Sequence, residues 1–115
     1  MSGMERLART FSALSDETRL TMLEHLLSSG EAAAGDLAAL TDVSAPAVSR
    51  HLKVLREAGL ATQRSEGTHR IYAARAEAML DVADWTEKHR KFWGASLDRL
   101  DKLLADDPEG RSEDD

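Results

Sequence analysis

The chain of 115 residues contains no cysteine, and this absence excludes disulfide bonds, thiolate metal sites and redox sensing by thiols. No apolar run approaches the length of about 18 residues that a membrane-spanning helix needs, and the segment from Met1 to Arg6 has no apolar targeting signal. We therefore expect a cytoplasmic protein. The chain length and the 42% share of hydrophobic residues favour one domain, predicted over residues 1–105, followed by an acidic, disordered tail at 106–115.

The usual features of enzyme sites are missing as well. The sequence has no glycine-rich phosphate loop, no cysteine nucleophile and no pair of histidines at metal-binding spacing. The four histidines are dispersed, at His25, His51, His69 and His89. We therefore predict that the protein is not an enzyme and that it holds no cofactor and no metal ion.

Positive charge is scarce overall, since the net charge is −6, but it is concentrated in one segment. Residues 44–75 carry six Lys or Arg and two Asp or Glu, whereas the segments before and after them are both acidic. A local basic surface is what a nucleic-acid-binding protein requires, whatever the charge of the whole chain. The acidic remainder would repel DNA elsewhere and so orient its approach.

The basic segment begins with a predicted helix that has two unlike faces. Val48, Leu52 and Leu55 recur at the spacing of a buried stripe, while small and cationic residues fall on the other faces. Small side chains permit close approach to a flat partner and cations neutralise phosphates, which is typical of a helix laid in the major groove of DNA. Residues suited to the N-cap, the first turn and the C-terminal end are present at Ser44, Pro46 and Gly59.

The residues before this helix complete a helix-turn-helix pattern. Residues 35–41 are predicted to form a short helix with Leu37 and Leu40 facing inward. Asp42 is predicted to occupy the turn in a positive-φ conformation, which aspartate tolerates better than most residues.

The residues after the basic helix predict a wing. Residues 61–65 and 68–73 are predicted to be two strands, joined by a two-residue turn at Glu66-Gly67. A hairpin that presents cations beside a recognition helix can reach the adjacent DNA backbone. The bulky residues available to anchor it are Leu60, Ile71 and Tyr72.

The two ends of the chain are predicted to be helical scaffold. Two amphipathic helices precede a connector at residues 31–34, and one long helix is expected over about residues 76–104. This last helix has apolar residues on more than one face, including three of the five aromatic residues, which lie between Trp85 and Trp93. A small domain cannot bury all these faces against itself, so a second copy of the chain is their simplest cover.

The predicted fold is therefore mainly α with a small β-hairpin, in the order helix-helix-helix-helix-strand-strand-helix. Over about residues 4–104, the chain resembles the ArsR/SmtB family of bacterial winged helix-turn-helix repressors. The resemblance rests on Phe11-Ser-Ala-Leu-Ser-Asp-Glu-Thr-Arg-Leu, Gly35-Asp-Leu-Ala, the segment Ser44–Leu60, and Glu66-Gly67 before Ile71-Tyr72. It implies a homodimer, held by the first and last helices, that binds an imperfect palindrome in double-stranded DNA and represses transcription.

The sequence departs from this family's metal-sensing motifs. Where many members have Cys-x-Cys in the third helix, this chain has Ala33 and Gly35, neither of which offers a donor atom. Other members bind zinc in the last helix through Asp-x-His and a later histidine, but here only His89 is present. The chain is therefore similar to the metal-independent members of the family.

We expect the DNA interface to combine the start and exposed face of the basic helix with the cations of the wing: Ser44, Ala45, Pro46, Ser49, Arg50, His51, Lys53, Arg64, His69 and Arg70. Arg50 is predicted to read a base edge, whereas Lys53, Arg64 and Arg70 are predicted to contact phosphates. For His51, packing and a phosphate contact are both open. The predicted dimer interface comprises Leu7, Phe11, Trp93, Leu97, Leu100 and Leu104.

Two alternatives remain open. The protein could be a winged-helix module that dimerises or recruits a partner without binding DNA, although such a module has no need to concentrate cations on one helix and hairpin. It could also be a regulator with a small-molecule effector pocket formed by the aromatic residues between Trp85 and Trp93.

Overall fold

A computed structural model describes residues 2–106 of the chain. The predicted tail lies outside the described residues, apart from Asp106, which ends the last helix. In chain order the elements are α1 Gly3–Leu14, α2 Glu17–Ser29, β1 Glu31–Ala33, α3 Ala34–Ala38, α4 Ala45–Glu57, β2 Ala61–Glu66, β3 His69–Ala74, α5 Glu77–Lys88 and α6 Arg90–Asp106. The predicted mainly α class with a small β-hairpin is confirmed, but a third strand, β1, was not predicted, and two helices stand where one long last helix was predicted.

Side-chain caps determine where three of the helices begin. The side chains of Ser2, Asp16 and Ser44 each accept a hydrogen bond from a backbone amide in the first turn of α1, α2 and α4, respectively. These bonds satisfy amides that have no partner within the helix. Gly30 follows α2 with φ +92°, a backbone conformation that other residues rarely adopt. The predicted cap at Ser44 is thus confirmed.

The sheet has three antiparallel strands in the order β1-β3-β2. Residues 31–33, predicted to be a connector, pair with β3 so that Ala32 lies opposite Tyr72. The hairpin turn is one residue later than predicted, because Glu66 pairs with His69 and leaves Gly67-Thr68 as the two turn residues. Gly67 supplies the positive φ of +64° that such a turn needs at its first position.

The hydrophobic core joins α2, α3 and α4 to the inner face of the sheet. The predicted stripe of α4 is confirmed, since Val48, Leu52 and Leu55 are at most 3% exposed. The core is built around the large side chains of Met22, Leu26, Leu37, Leu52, Leu55 and Leu60. This packing fixes which face of α4 turns outward, and it anchors the wing through Leu60 and Tyr72.

Two details of the predicted helix-turn-helix were wrong. Leu40 was expected to face inward but is 41% exposed, because α3 ends at Ala38 and the chain turns before Leu40 could continue the buried face. Asp42 does not take a positive φ, since every positive-φ residue in the described part of the chain is a glycine. The turn is formed instead by residues 39–43 with ordinary backbone angles.

The C-terminal segment forms two helices where one was predicted. The chain divides into two compact units, the first ending at Val82 and the second beginning at Ala83 within α5. In the second unit, the regular pattern of helical hydrogen bonds is interrupted at His89. Its backbone amide donates to two carbonyl groups, that of Trp85 at 3.3 Å and that of Thr86 at 3.2 Å. None of the described helices is both long enough and apolar enough to cross a membrane.

Candidate nucleic-acid interface

The outward face of α4 carries the predicted reading residues. Arg50 and Lys53 lie on the side of the helix away from the buried stripe, and both are exposed. Neither makes an ion pair with another described residue, so their charges are available to a partner. The small or short residues at the start of the helix are exposed as well, namely Ser44, Ala45, Pro46 and Ser49.

His51 lies at the edge of this face and is part of a contact that was not predicted. Its Nδ1 atom is 3.1 Å from a guanidinium nitrogen of Arg19 and 3.9 Å from the Asp16 carboxylate. The His51 side chain is 21% exposed, so it is neither fully packed nor free. Sequence reasoning missed Arg19, because it is 32 residues from His51 and meets it only through the packing of α2 beside α4.

Asp16 ties the start of α2 to the same cluster. Its carboxylate accepts a hydrogen bond from the Arg19 backbone amide at 3.0 Å. This bond is the largest cause that lowers the pKa of Asp16 below its usual value of 3.8, and the nearby His51 and Arg19 side chains act in the same direction. The carboxylate is therefore ionised throughout the physiological range.

The wing presents its two predicted phosphate-contacting arginines on opposite faces. Directly paired residues share a face of a sheet, and successive residues alternate between faces. Arg70 lies opposite Ser65 on the face that carries Tyr72, whereas Arg64 lies opposite Ile71 on the other face. No acidic side chain of residues 2–106 lies within ion-pair distance of Arg70.

Arg64 is already paired within the chain. Its guanidinium lies 2.8 Å from the Glu31 carboxylate and 3.1 Å from the Glu66 carboxylate. Glu31 belongs to β1, so the Arg64 side chain reaches over β3 to the far strand. The hydrogen bonds from Arg64 to Glu31 and Glu66 raise the pKa of Arg64 above its usual value. Local sequence patterns do not predict this pairing, because Glu31 lies 33 residues from Arg64, in the predicted connector.

His69, the remaining predicted wing residue, is exposed and lies opposite Glu66 next to the hairpin turn. It thus shares the Arg64 face. The structure brings together Arg50, His51 and Lys53 on one helix and places Arg70 on the wing, while Glu66 and Glu31 add negative charge around Arg64 and His69.

The residues predicted for a dimer interface fall into two groups. Large apolar side chains are exposed on the terminal helices at Phe11, Trp93, Leu97, Leu100 and Leu104. Leu7 differs, since it is only 8% exposed and its side chain is already covered within the single chain. Helical periodicity alone could not separate Leu7 from Phe11, because residues four positions apart lie on the same face of a helix.

The described residues contain no group of three or more His, Cys, Asp or Glu side chains placed to hold a metal ion. In the second unit, the ring of His89 instead lies against that of Trp85, with ring centroids 5.0 Å apart. Phe92 and Trp93 make an edge-to-face contact at the same centroid distance of 5.0 Å.

Residues 16–63, which include α2, α3 and α4, match the family model of the bacterial regulatory proteins of the arsR family. The chain is 48% identical over 64 residues to the HTH-type transcriptional regulator Rv2034 of Mycobacterium tuberculosis, a match that covers 56% of this chain and 59% of that protein. It is 33% identical over 75 residues to the transcriptional repressor SdpR of Bacillus subtilis, which covers 65% of this chain and 82% of that protein.

Solved structures agree with these matches. An ArsR family transcriptional regulator, RHA00566, superposes with a TM-score of 0.72 at 30% identity, covering 78% of this chain and 92% of that one. The homodimeric winged helix-turn-helix DNA-binding domain Mb0332 from Mycobacterium bovis superposes with a TM-score of 0.61 at 29% identity, covering 76% of this chain and 82% of that one. The chain therefore has the winged helix-turn-helix fold and belongs to the ArsR family of bacterial regulatory proteins.

Proposed function

We propose that this protein is a dimeric, sequence-specific DNA-binding repressor of transcription that works in the cytoplasm without a metal-sensing site. The observation that carries the proposal is the outward face of α4, away from the buried stripe, where Arg50 and Lys53 are exposed and have no ion-pair partner among the described residues. A capped, core-anchored helix with free cations on its outer face is suited to the major groove. The names of relatives as a transcriptional regulator and a transcriptional repressor support the same function.

In this proposal the residues of the interface have separate roles. Arg50 lies in the first half of α4, where recognition helices usually meet base edges, and it donates to a guanine. Lys53 lies about one turn further on and meets a phosphate, as does Arg70 from the wing. Arg64 makes no phosphate contact while it remains paired with Glu31 and Glu66.

Fluorescence anisotropy with duplexes from the promoter of the protein's own gene tests DNA binding. We expect a complex that forms at nanomolar protein concentration and resists an excess of unrelated duplex, since specific binding exceeds non-specific binding by about 10³-fold or more. A variant that carries both Arg50→Ala and Lys53→Ala should lose this complex while keeping the wild-type unfolding transition. Equal binding of promoter and unrelated duplexes would contradict sequence-specific recognition.

Dimerisation is proposed because α6 exposes a row of large apolar side chains, among them Trp93, Leu97 and Leu100. Exposed apolar surface of this extent is unusual in a monomer, and the homodimeric neighbour Mb0332 has the same fold. Light scattering should give the mass of two chains at micromolar concentration, and removal of residues 106–115 should not change it. A monomer at that concentration would remove the basis for recognition of two half-sites.

Independence from metals is proposed because Ala33 and Gly35 stand at the family's cysteine positions and offer no donor atom. Zinc, cadmium or arsenite at low micromolar concentration should therefore leave the protein–DNA complex intact. A tight, stoichiometric zinc site in calorimetry that also weakened DNA binding would overturn this proposal, and His89 would be the first residue to replace.

A further inference from the structure

Arg19, in α2, contacts both α1 and the middle of α4. Its Nε atom donates to the Ala13 carbonyl at 2.7 Å, and a second guanidinium nitrogen donates to the Ser12 carbonyl at 3.3 Å. The third contact goes to Nδ1 of His51 at 3.1 Å. Arg19 therefore links the end of α1 and the start of α2 to a side chain of α4.

The contact with Arg19 determines which nitrogen of His51 carries the proton. A guanidinium has only N–H donors, so a hydrogen bond between Arg19 and His51 requires Nδ1 to be the acceptor. A neutral imidazole whose Nδ1 accepts must carry its hydrogen on Nε2. The Asp16 carboxylate is 3.9 Å from Nδ1, too far for a hydrogen bond, and so it does not compete for this position.

The Nε2–H group of His51 points to a partner outside the chain. Every buried side-chain nitrogen or oxygen among residues 2–106 has a hydrogen-bond partner, yet Nε2 of His51 has no partner among these residues. Nε2 must therefore reach solvent, in agreement with the 21% exposure of the His51 side chain. Nε2–H is therefore a donor without an acceptor in the described part of the chain. His51 itself directly follows the base-reading candidate Arg50.

We propose that Arg19 positions His51 so that Nε2–H donates to a DNA phosphate at the edge of the contact made by α4; this inference rests on the proposed DNA-binding function. His51 lies beside the buried stripe rather than opposite it, and the edge of a helix in the major groove faces the phosphate backbone, not the bases. The positive charge of Arg19 behind the ring polarises the Nε2–H bond and strengthens its donation to an anionic oxygen. Arg19 is thus a positioning residue, and His51 is the contacting residue.

Two substitutions of His51 separate the roles of its two nitrogens. His51→Asn places an amide group near the position of Nδ1, so it can still pair with Arg19, but it cannot reach the phosphate. His51→Gln places an amide N–H near the position of Nε2, so it can still donate to the phosphate. We expect His51→Asn to weaken binding to promoter and unrelated duplexes alike by about 10-fold for each subunit, the effect of one hydrogen bond to a charged group, and so by about 100-fold for the dimer. His51→Gln should stay within about 3-fold of the wild type for each subunit.

The tautomer itself is measured by long-range ¹⁵N–¹H correlation spectra of the free wild-type protein at pH 8, where an ordinary histidine is neutral. We expect the His51 ring to carry its proton on Nε2. Arg19→Met, which removes the donors but keeps an unbranched side chain, should abolish this preference and weaken DNA binding as His51→Asn does. Because Arg19→Met can also loosen α1, its unfolding transition is compared with the wild type, and the tautomer of the wild type tests the inference independently of that variant.

The outcomes distinguish this inference from the proposed function. A proton on Nδ1 in the wild type, or wild-type DNA affinity in His51→Asn, would overturn the role of His51. Equal losses in His51→Asn and His51→Gln would also overturn it, because they would point to packing rather than donation. If the wild type bound no duplex at all, the DNA-binding function itself would fail, whatever the tautomer.

Discussion

The two arginines of the wing should contribute unequally to DNA binding, although the sequence predicts a phosphate contact for both. Arg64 is held by the carboxylates of Glu31 at 2.8 Å and Glu66 at 3.1 Å, whereas Arg70 has no acidic partner among residues 2–106. To meet a phosphate, Arg64 would have to leave two carboxylates that would then face the DNA. Arg70 has no ion pair with residues 2–106 to lose when it binds.

Counterion release gives the size of the expected difference. Each phosphate contact adds about 0.9 to the slope of log K against log salt concentration. In a dimer, removal of Arg70 should therefore lower the slope by about 1.8. At about 0.1 M salt, the loss of each Arg70 contact should weaken binding about 8-fold, and the loss of both contacts in the dimer should weaken it about 60-fold. Removal of Arg64 should change the slope by much less than the value of about 0.9 that one phosphate contact contributes.

The assay is fluorescence anisotropy of Arg70→Ala, Arg64→Ala and wild type on one duplex, over about 50 to 300 mM KCl. The two variants are matched, because each removes one positive charge from the same pair of strands. A difference between the salt slopes of the two variants therefore reports whether each arginine is held in an ion pair, and not the total charge of the protein. If Arg64→Ala lowered the slope as much as Arg70→Ala, the ion pairs with Glu31 and Glu66 would not hold in the DNA-bound state, and the reasoning would be refuted.

Three further predictions concern α4, the core and the cap of α2. Arg50→Ala should reduce the free energy of operator binding by about 1–3 kcal/mol per half-site and relax the base preference at one position of the operator. Lys53→Ala should instead weaken binding to all duplexes alike. Parallel titrations of both variants with operator and unrelated duplex check this difference. Leu55→Ala, at a fully buried position, should lower the free energy of unfolding in urea by about 2–5 kcal/mol, and Leu40→Ala, at a half-exposed position, should lower it clearly less. Because the pKa of Asp16 is lowered in the folded state, the stability that Asp16 provides is present above its usual value of 3.8 and is lost as the pH falls through the lowered pKa. The difference in unfolding free energy between the wild type and Asp16→Ala should therefore shrink in acid, and a constant difference from pH 7 to the acid limit of folding would contradict the assignment.

The sequence predicted the elements that local signals specify. The buried stripe of α4 and its cap at Ser44 depend on residues within a few positions of one another, and both are present as predicted. Helical periodicity also predicted apolar faces correctly, but it could not decide how far the core reaches along them. Leu40 is exposed and Leu7 is covered for this reason, since burial depends on which other elements pack there.

Contacts between distant residues were beyond the reach of local patterns. Strand β1 consists of Glu31-Ala-Ala, which has no β-branched or aromatic residue, and it exists because β3 offers a free edge about 40 residues later. The pairing of Arg64 with Glu31 spans 33 residues, and the contact of Arg19 with His51 spans 32. The sequence patterns therefore missed Glu31 and Arg19, which contact residues of the candidate interface, while the DNA contacts themselves stay predictions.

The central claim is that a dimer of this chain reads two DNA half-sites through α4. The measurement that tests it most directly is selection of bound duplexes from a random pool by the wild-type protein, followed by sequencing. We expect an imperfect palindrome whose half-site centres lie about 10 base pairs apart, or a multiple of this distance, because the two recognition helices of a symmetric dimer enter major grooves on one side of the duplex. Failure to enrich any sequence, or enrichment of a single half-site without symmetry, would contradict it.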